Sequence, residues 1–184
     1  MPNIKEQLEE QVWLLKIRHG DQESFAHIYD RYVDALFRYV SFRVPTPETA
    51  EDITSELFLK VWQYLTGDSY TKVDNLRAYL YKVARNLIAD HYRGSREQVS
   101  LDDINETDIL EITEVDINLQ LSLGEIEQAV RKLKSPWQEV VILAYVEGFK
   151  PQEISEVIGK SPAATRVILH RALQELKRLL IKPE

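Results

Sequence analysis

One helical face near the C-terminal end gathers most of the side chains suited to recognition chemistry. Projected at about 100° per residue, the run PAATRVILHRALQELKRLL places Ala163, Arg166, Val167, His170, Arg171, Gln174, Lys177 and Arg178 on one side. Thr165, Ile168, Leu169, Ala172, Leu173, Leu176, Leu179 and Leu180 share the other. A helix entering the major groove needs small residues where it approaches the base edges and hydrogen-bond donors beyond them. Upstream, PQEISEVIGKS reads as a short helix with Ile154 and Ile158 inward, a tight turn at Gly159, and Ser161 and Pro162 suited to start the next helix. The candidate duplex contacts are Ser161, Ala163, Ala164, Arg166, Val167, His170, Arg171 and Gln174. An ordinary solvated basic face has the same spacing. The short helix, glycine turn and Ser-Pro start favour a DNA-binding helix-turn-helix.

A second face lies over residues 76–93. Leu76, Leu80, Val83, Ala84 and Leu87 form an apolar stripe, with Arg77, Tyr81, Lys82, Arg85, Tyr92 and Arg93 opposite. Rings interleaved with cations suit unpaired DNA, because aromatic planes stack on bases while the cations hold phosphates. A surface helix whose tyrosines pack on a neighbour would show the same pattern.

Other chemistries find little support. There is no cysteine, and the four histidines form no ligand pair at helical spacing. No nucleophile–base pair or phosphate-binding glycine loop is evident, so the chain reads as a non-enzyme without cofactor. No apolar run reaches the roughly 20 residues that span a bilayer. The start, MPNIKEQLEEQVW, is acidic and amphipathic rather than a secretory signal, and a cytoplasmic location is expected. The net charge of −7 argues against nucleic acid until it is divided along the chain. Residues 1–94 hold 12 basic and 14 acidic side chains, residues 95–122 hold 1 and 8, and residues 123–184 hold 10 and 8. The deficit sits in one middle segment, and local stripes decide DNA binding.

The elements that must position these faces are all helical, in two blocks. In the first, Phe25, Ile28, Tyr29, Tyr32, Leu36 and Val40 recur at three-to-four spacing, and Pro45 and Pro47 stop that helix. Ile53, Leu57, Val61 and Leu65 mark a second helix, TGDSYTKVDN a loop, and residues 76–92 a third helix ending at Gly94. Residues 95–116 read as an acidic linker. The second block divides into helices near 117–134, 136–147, 151–158 and 162–181. The expected domains are 1–94 and 117–184.

In this order the pieces resemble the extracytoplasmic-function (ECF) sigma factors of bacterial RNA polymerase. FAHIYDRYVDALFRYV is similar to the family's first core helix, AEDITSELFLKVWQYL to its polymerase-docking signature, NLRAYLYKVARNLIADHYRG to the helix that reads and helps melt the −10 element, and the C-terminal helix-turn-helix to the −35 reader. The resemblance implies a sigma factor with two helical domains, similar to sigma domains 2 and 4. It implies core polymerase as partner, through the clamp helices of the largest subunit and the flap, together with promoter DNA and an anti-sigma factor.

Residues 50–62 would dock on the clamp helices, with Glu51, Asp52, Ser55, Glu56, Phe58, Leu59, Lys60 and Trp62 as candidate contacts. Phe58 and Trp62 could instead belong to the core. The family's base-holding loop falls at 67–75, where Asn75 could hydrogen-bond a base edge. Asn75, Arg77, Tyr81, Lys82, Arg85, Tyr92 and Arg93 are therefore the −10 candidates. The acidic segment resembles the connector that threads polymerase, although a plain tether would have the same composition. One departure stands out. Arg166 falls on the family's usual lysine position, but Val167, Ile168 and Leu173 replace commonly polar or basic residues. Two other readings remain open: a sigma-like regulator acting through a protein partner, and a stand-alone helix-turn-helix regulator.

Overall fold

The computed structural model describes residues 4–94 and 123–181, all helix and connecting turn with no strand among them. The acidic segment 95–116 and the helix start expected from 117 lie outside the described residues. Helices α1–α4 form one compact unit and α5–α8 another.

In the first unit, α1 (Ile4–Ile17) buries Leu14 and Ile17. It also buries Glu10, which accepts hydrogen bonds from the Tyr32 hydroxyl (2.6 Å) and Arg31 Nη1 (3.2 Å) of α2. A carboxylate leaves water only when it is paired in this way. Arg31 also bonds Glu9 at 3.2 Å and lies 4.3 Å over the Trp13 ring, so one guanidinium meets three residues of α1. Helix α2 (Gln22–Ser41) buries Ile28, Tyr32, Leu36, Tyr39 and Val40, while Tyr29 stays 43% exposed. It ends at Ser41, before either proline. Pro47 instead opens α3 (Pro47–Thr66), where its missing N–H costs nothing. Thr46 caps that start, its side chain accepting from the Thr49 amide at 3.2 Å.

Helix α4 (Leu76–Gly94) packs against both α2 and α3. Two neighbours demand a wider buried arc than one. Leu76, Leu80, Ala84 and Leu87 fill part of it, and Ala78, Tyr81 and Ile88 fill the rest, whereas Val83 is only half-buried.

The second unit comprises α5 (Leu123–Lys132), α6 (Ser135–Val141), α7 (Pro151–Ile158) and α8 (Pro162–Leu180). The single helix expected over 136–147 is divided. The stretch Ile142–Val146 opens into a π-helical turn, with the Glu147 amide bonding to the Ile142 carbonyl at 3.0 Å. Ile142 and Leu143 remain fully buried, while Tyr145 and Val146 face solvent. Gly159 adopts φ +68°, the left-handed conformation that ends α7 and lets the chain reverse into α8.

Candidate nucleic-acid interface

A recognition helix needs a fixed start, because its first residues must meet the bases at a set angle. Ser161 provides that start, its Oγ accepting from the Ala164 amide at 3.1 Å with Pro162 at the first helical position. Thr165 reinforces the turn by donating to the Ser161 carbonyl at 2.9 Å. Ala163, Arg166 and Gln174 are exposed, and Val167, His170 and Arg171 are half-buried. His170 and Gln174 hydrogen-bond to each other at 2.9 Å, one turn apart. Arg178, further along, is held by Glu175 at 2.6 Å. Ala164 does not join this face. It is buried, so its part is to let α8 approach the core closely. Ile168 and Leu173 are core residues, which explains two of the departures from the polar pattern.

On α4 the structure redraws the expected face. Tyr81 is 1% exposed, with its ring edge-on to Tyr39 at 5.0 Å between centroids. No base can stack on it, and the stacking role is withdrawn. Arg77 is half-buried, and its charge acts on Tyr32 of α2. Burial and the Glu10 hydrogen bond raise the Tyr32 hydroxyl beyond its ordinary range, and Arg77 partly opposes that rise. Lys82 and Arg93 are exposed, with Arg93 paired to Asp90 at 3.0 Å, and Arg85 is half-buried. Tyr92 is 37% exposed, and its hydroxyl donates to the Arg43 carbonyl at 2.7 Å. Asn75 caps α4, its Oδ1 accepting from the Ala78 amide at 3.0 Å.

Rings from α3, α4 and the loop between them meet in a cluster that helical spacing alone does not assign. Tyr64 lies 5.8 Å from Tyr70 and 5.3 Å from Tyr79. Partial burial raises the Tyr79 hydroxyl to about 12. The Tyr64 hydroxyl is lowered instead, chiefly by its side-chain hydrogen bond with Thr71.

The polymerase-docking candidates divide by burial. Glu51, Asp52, Ser55, Glu56, Leu59 and Lys60 are exposed along α3, with Glu56 and Lys60 paired at 2.9 Å. Phe58 is core, packed against Tyr29 at 4.6 Å and Phe25 at 6.4 Å. Trp62 is half-buried, 5.0 Å from Phe25. Tyr29, placed by spacing in the buried stripe of α2, joins this exposed surface instead. Among the described residues no helix is long and apolar enough to cross a membrane, and no cluster could hold a metal ion.

The described residues thus comprise a helical bundle with Lys82, Arg85 and Arg93 along α4, and a second helical unit that ends in a Ser-capped helix-turn-helix. Residues 28–98 match the family Sigma-70 region 2, and residues 123–176 match Sigma-70, region 4. The chain is 34% identical over 167 residues to the ECF RNA polymerase sigma factor BldN of Streptomyces coelicolor, an alignment covering 88% of this chain and 62% of BldN. The fold resembles CnrH, solved in complex with the cytosolic domain of CnrY, at a TM-score of 0.70 and 23% identity, covering 94% of this chain and 97% of CnrH. It also resembles the sigma factor RpoE of Bartonella quintana, solved with the anti-sigma factor NepR, at a TM-score of 0.65 and 20% identity, covering 86% of this chain and 97% of RpoE. The chain belongs to the ECF sigma factors, the class that directs bacterial RNA polymerase to promoters.

Proposed function

We propose that this chain binds core RNA polymerase, reads −35 duplex with residues 117–184, reads −10 DNA with residues 1–94 and assists strand opening, without chemistry of its own. The observation that carries the reading is the outward face of α8, set by the Ser161 cap and lined by Ala163, Arg166, Val167, His170, Arg171 and Gln174. Arg166 replaces the family's usual lysine with a group able to bond guanine bidentately, and Val167 offers an apolar contact to a thymine methyl. In the first unit, Lys82, Arg85, Tyr92 and Arg93 hold the −10 strand, and the loop 67–75 holds an unstacked base. The Asn75 side chain contributes by fixing the first turn of α4.

Core polymerase meets α3 through Glu51, Asp52, Ser55, Glu56, Leu59, Lys60 and Trp62, with Tyr29 adding an exposed ring beside them. The clamp helices of the largest subunit and the flap are its contact points. Residues 95–116 connect the two readers inside polymerase, where negative charge suits channels built for nucleic acid. The likeness to RpoE solved with NepR supports an anti-sigma partner, and the cytoplasm is the place of action. Sequencing the transcripts made when the purified chain is added to core polymerase tests the reading. Transcripts should start downstream of one shared pair of elements. Absence of any promoter-specific transcript overturns it.

A further inference from the structure

The loop 67–75 is held from outside as well as from within. One side chain of α1 and one just past its end reach the loop's opposite ends. Arg18, just past the end of α1, donates from Nη1 to the Gly67 carbonyl at 2.8 Å, reaches the Leu65 carbonyl at 3.5 Å, and lies 4.7 Å from the Tyr70 ring centroid. Gln11, two turns earlier, donates from Nε2 to the Val73 carbonyl at 3.1 Å and the Asp74 carbonyl at 3.3 Å. The middle of the loop closes on Tyr64. Its hydroxyl accepts from the Thr71 amide at 3.1 Å and sits 2.7 Å from the Thr71 hydroxyl.

Each contact answers a local need. Helix α3 has no basic residue in its last turn, so its final carbonyls have no cation from their own helix. Arg18 supplies one from a different element. The carbonyls of Val73 and Asp74 lie outside either helix, and Gln11 serves both. Helix α1 is itself fixed on α2 through Glu10, Arg31 and Tyr32. The loop is thus tied, through α1, to a rigid part of the bundle.

We infer that Gln11, Arg18 and Tyr64 are positioning residues for −10 base selection: α1 holds the two ends of the loop 67–75 at the spacing that an unstacked base requires. The inference rests on the base-holding role given above to this loop. It assigns selectivity to a helix that touches no base. A loop held at both ends has fewer conformations to lose on binding, and it rejects a wrong base because it cannot rearrange around it.

The test uses the full chain assembled with core polymerase and a forked DNA carrying the −10 element found by transcript sequencing, together with its single-base substitutions. Wild type should prefer the cognate base. Gln11→Ala with Arg18→Ala should lower that preference at least tenfold at one position, and Tyr64→Phe, which keeps the ring and removes the hydroxyl, should act at the same position. Arg18→Lys should fall between, keeping the charge but losing the fork. Leu15→Ala, on the exposed side of α1, should change nothing. Thermal unfolding and core affinity serve as controls for folding. Affinities that fall equally for every base, or a preference that survives in both the double variant and Tyr64→Phe, overturn the inference. A wild-type complex with no base preference in the −10 element would instead overturn the reading of the loop on which it stands.

Discussion

Tyr81 and Tyr39 meet edge-on at 5.0 Å inside the first unit, an arrangement that favours aromatic pairs beyond the area they bury. Tyr81→Ala should destabilise that unit by about 3–5 kcal/mol, as other large aromatic deletions do. Tyr81→Phe should retain most of the stability. Chemical unfolding of both variants checks this, and near-wild-type stability of the alanine variant would remove Tyr81 from the core. Tyr32 makes a pH-dependent contribution. Its hydroxyl is raised above the usual 10, first by burial and then by Glu10. The native state holds that proton more tightly than the unfolded chain does, so the contribution is full below pH 10 and fades as pH rises above it. Tyr32→Phe should therefore flatten the alkaline part of a stability–pH curve. An unchanged slope above pH 10 would show that the proton on Tyr32 does not matter. At the proposed DNA face, Arg166→Ala should weaken −35 duplex binding and reduce its salt dependence, by up to about one in log–log slope where the lost cation neutralised a phosphate. Affinity and slope both equal to wild type would take Arg166 off the interface.

At the scale of elements, the helices and their stops are written in short-range chemistry. Pro162, Ser161 and Gly159 act on their own neighbours, so the start of α8 and the turn before it are readable from sequence, whereas Pro47, read as a stop for α2, opens α3. Faces are harder, because a periodic pattern does not say how many neighbours a helix has. Helix α4 has two, and this moves Tyr81 inward and leaves Arg77 half-buried. The loop contacts of Gln11 and Arg18 span 49 to 63 residues of sequence, beyond the reach of any local spacing rule. Gly67 is legible only afterwards. A Cβ there would stand 2.7 Å from the Gln63 carbonyl oxygen, a backbone atom that cannot step aside. Gly67→Ala should consequently displace the loop start and weaken −10 fork binding several-fold, while −35 duplex binding stays unchanged. Equal losses on the two DNAs would indicate general damage to the fold.

At the scale of the whole molecule, the proposed function divides recognition between two units, each with modest positive charge on its proposed DNA face. Two of the cations there are already paired with carboxylates, Arg93 with Asp90 and Arg178 with Glu175. Neither face alone offers the dense cationic surface of a strong independent DNA binder. Specific binding then depends on both units engaging one promoter, each raising the effective concentration of the other. Duplex DNA turns once in about 10 base pairs, so a half-turn insertion carries one element to the far side of the helix. Adding about five base pairs between the −35 and −10 elements should therefore lower transcription at least tenfold. The same insertion leaves the −10 element intact, so binding to an isolated −10 fork should not change. If transcription persists at the longer spacing, the two units do not read one promoter together. If it falls but is restored by about ten added base pairs, a full turn, the helical phase of the two elements matters more than the distance between them.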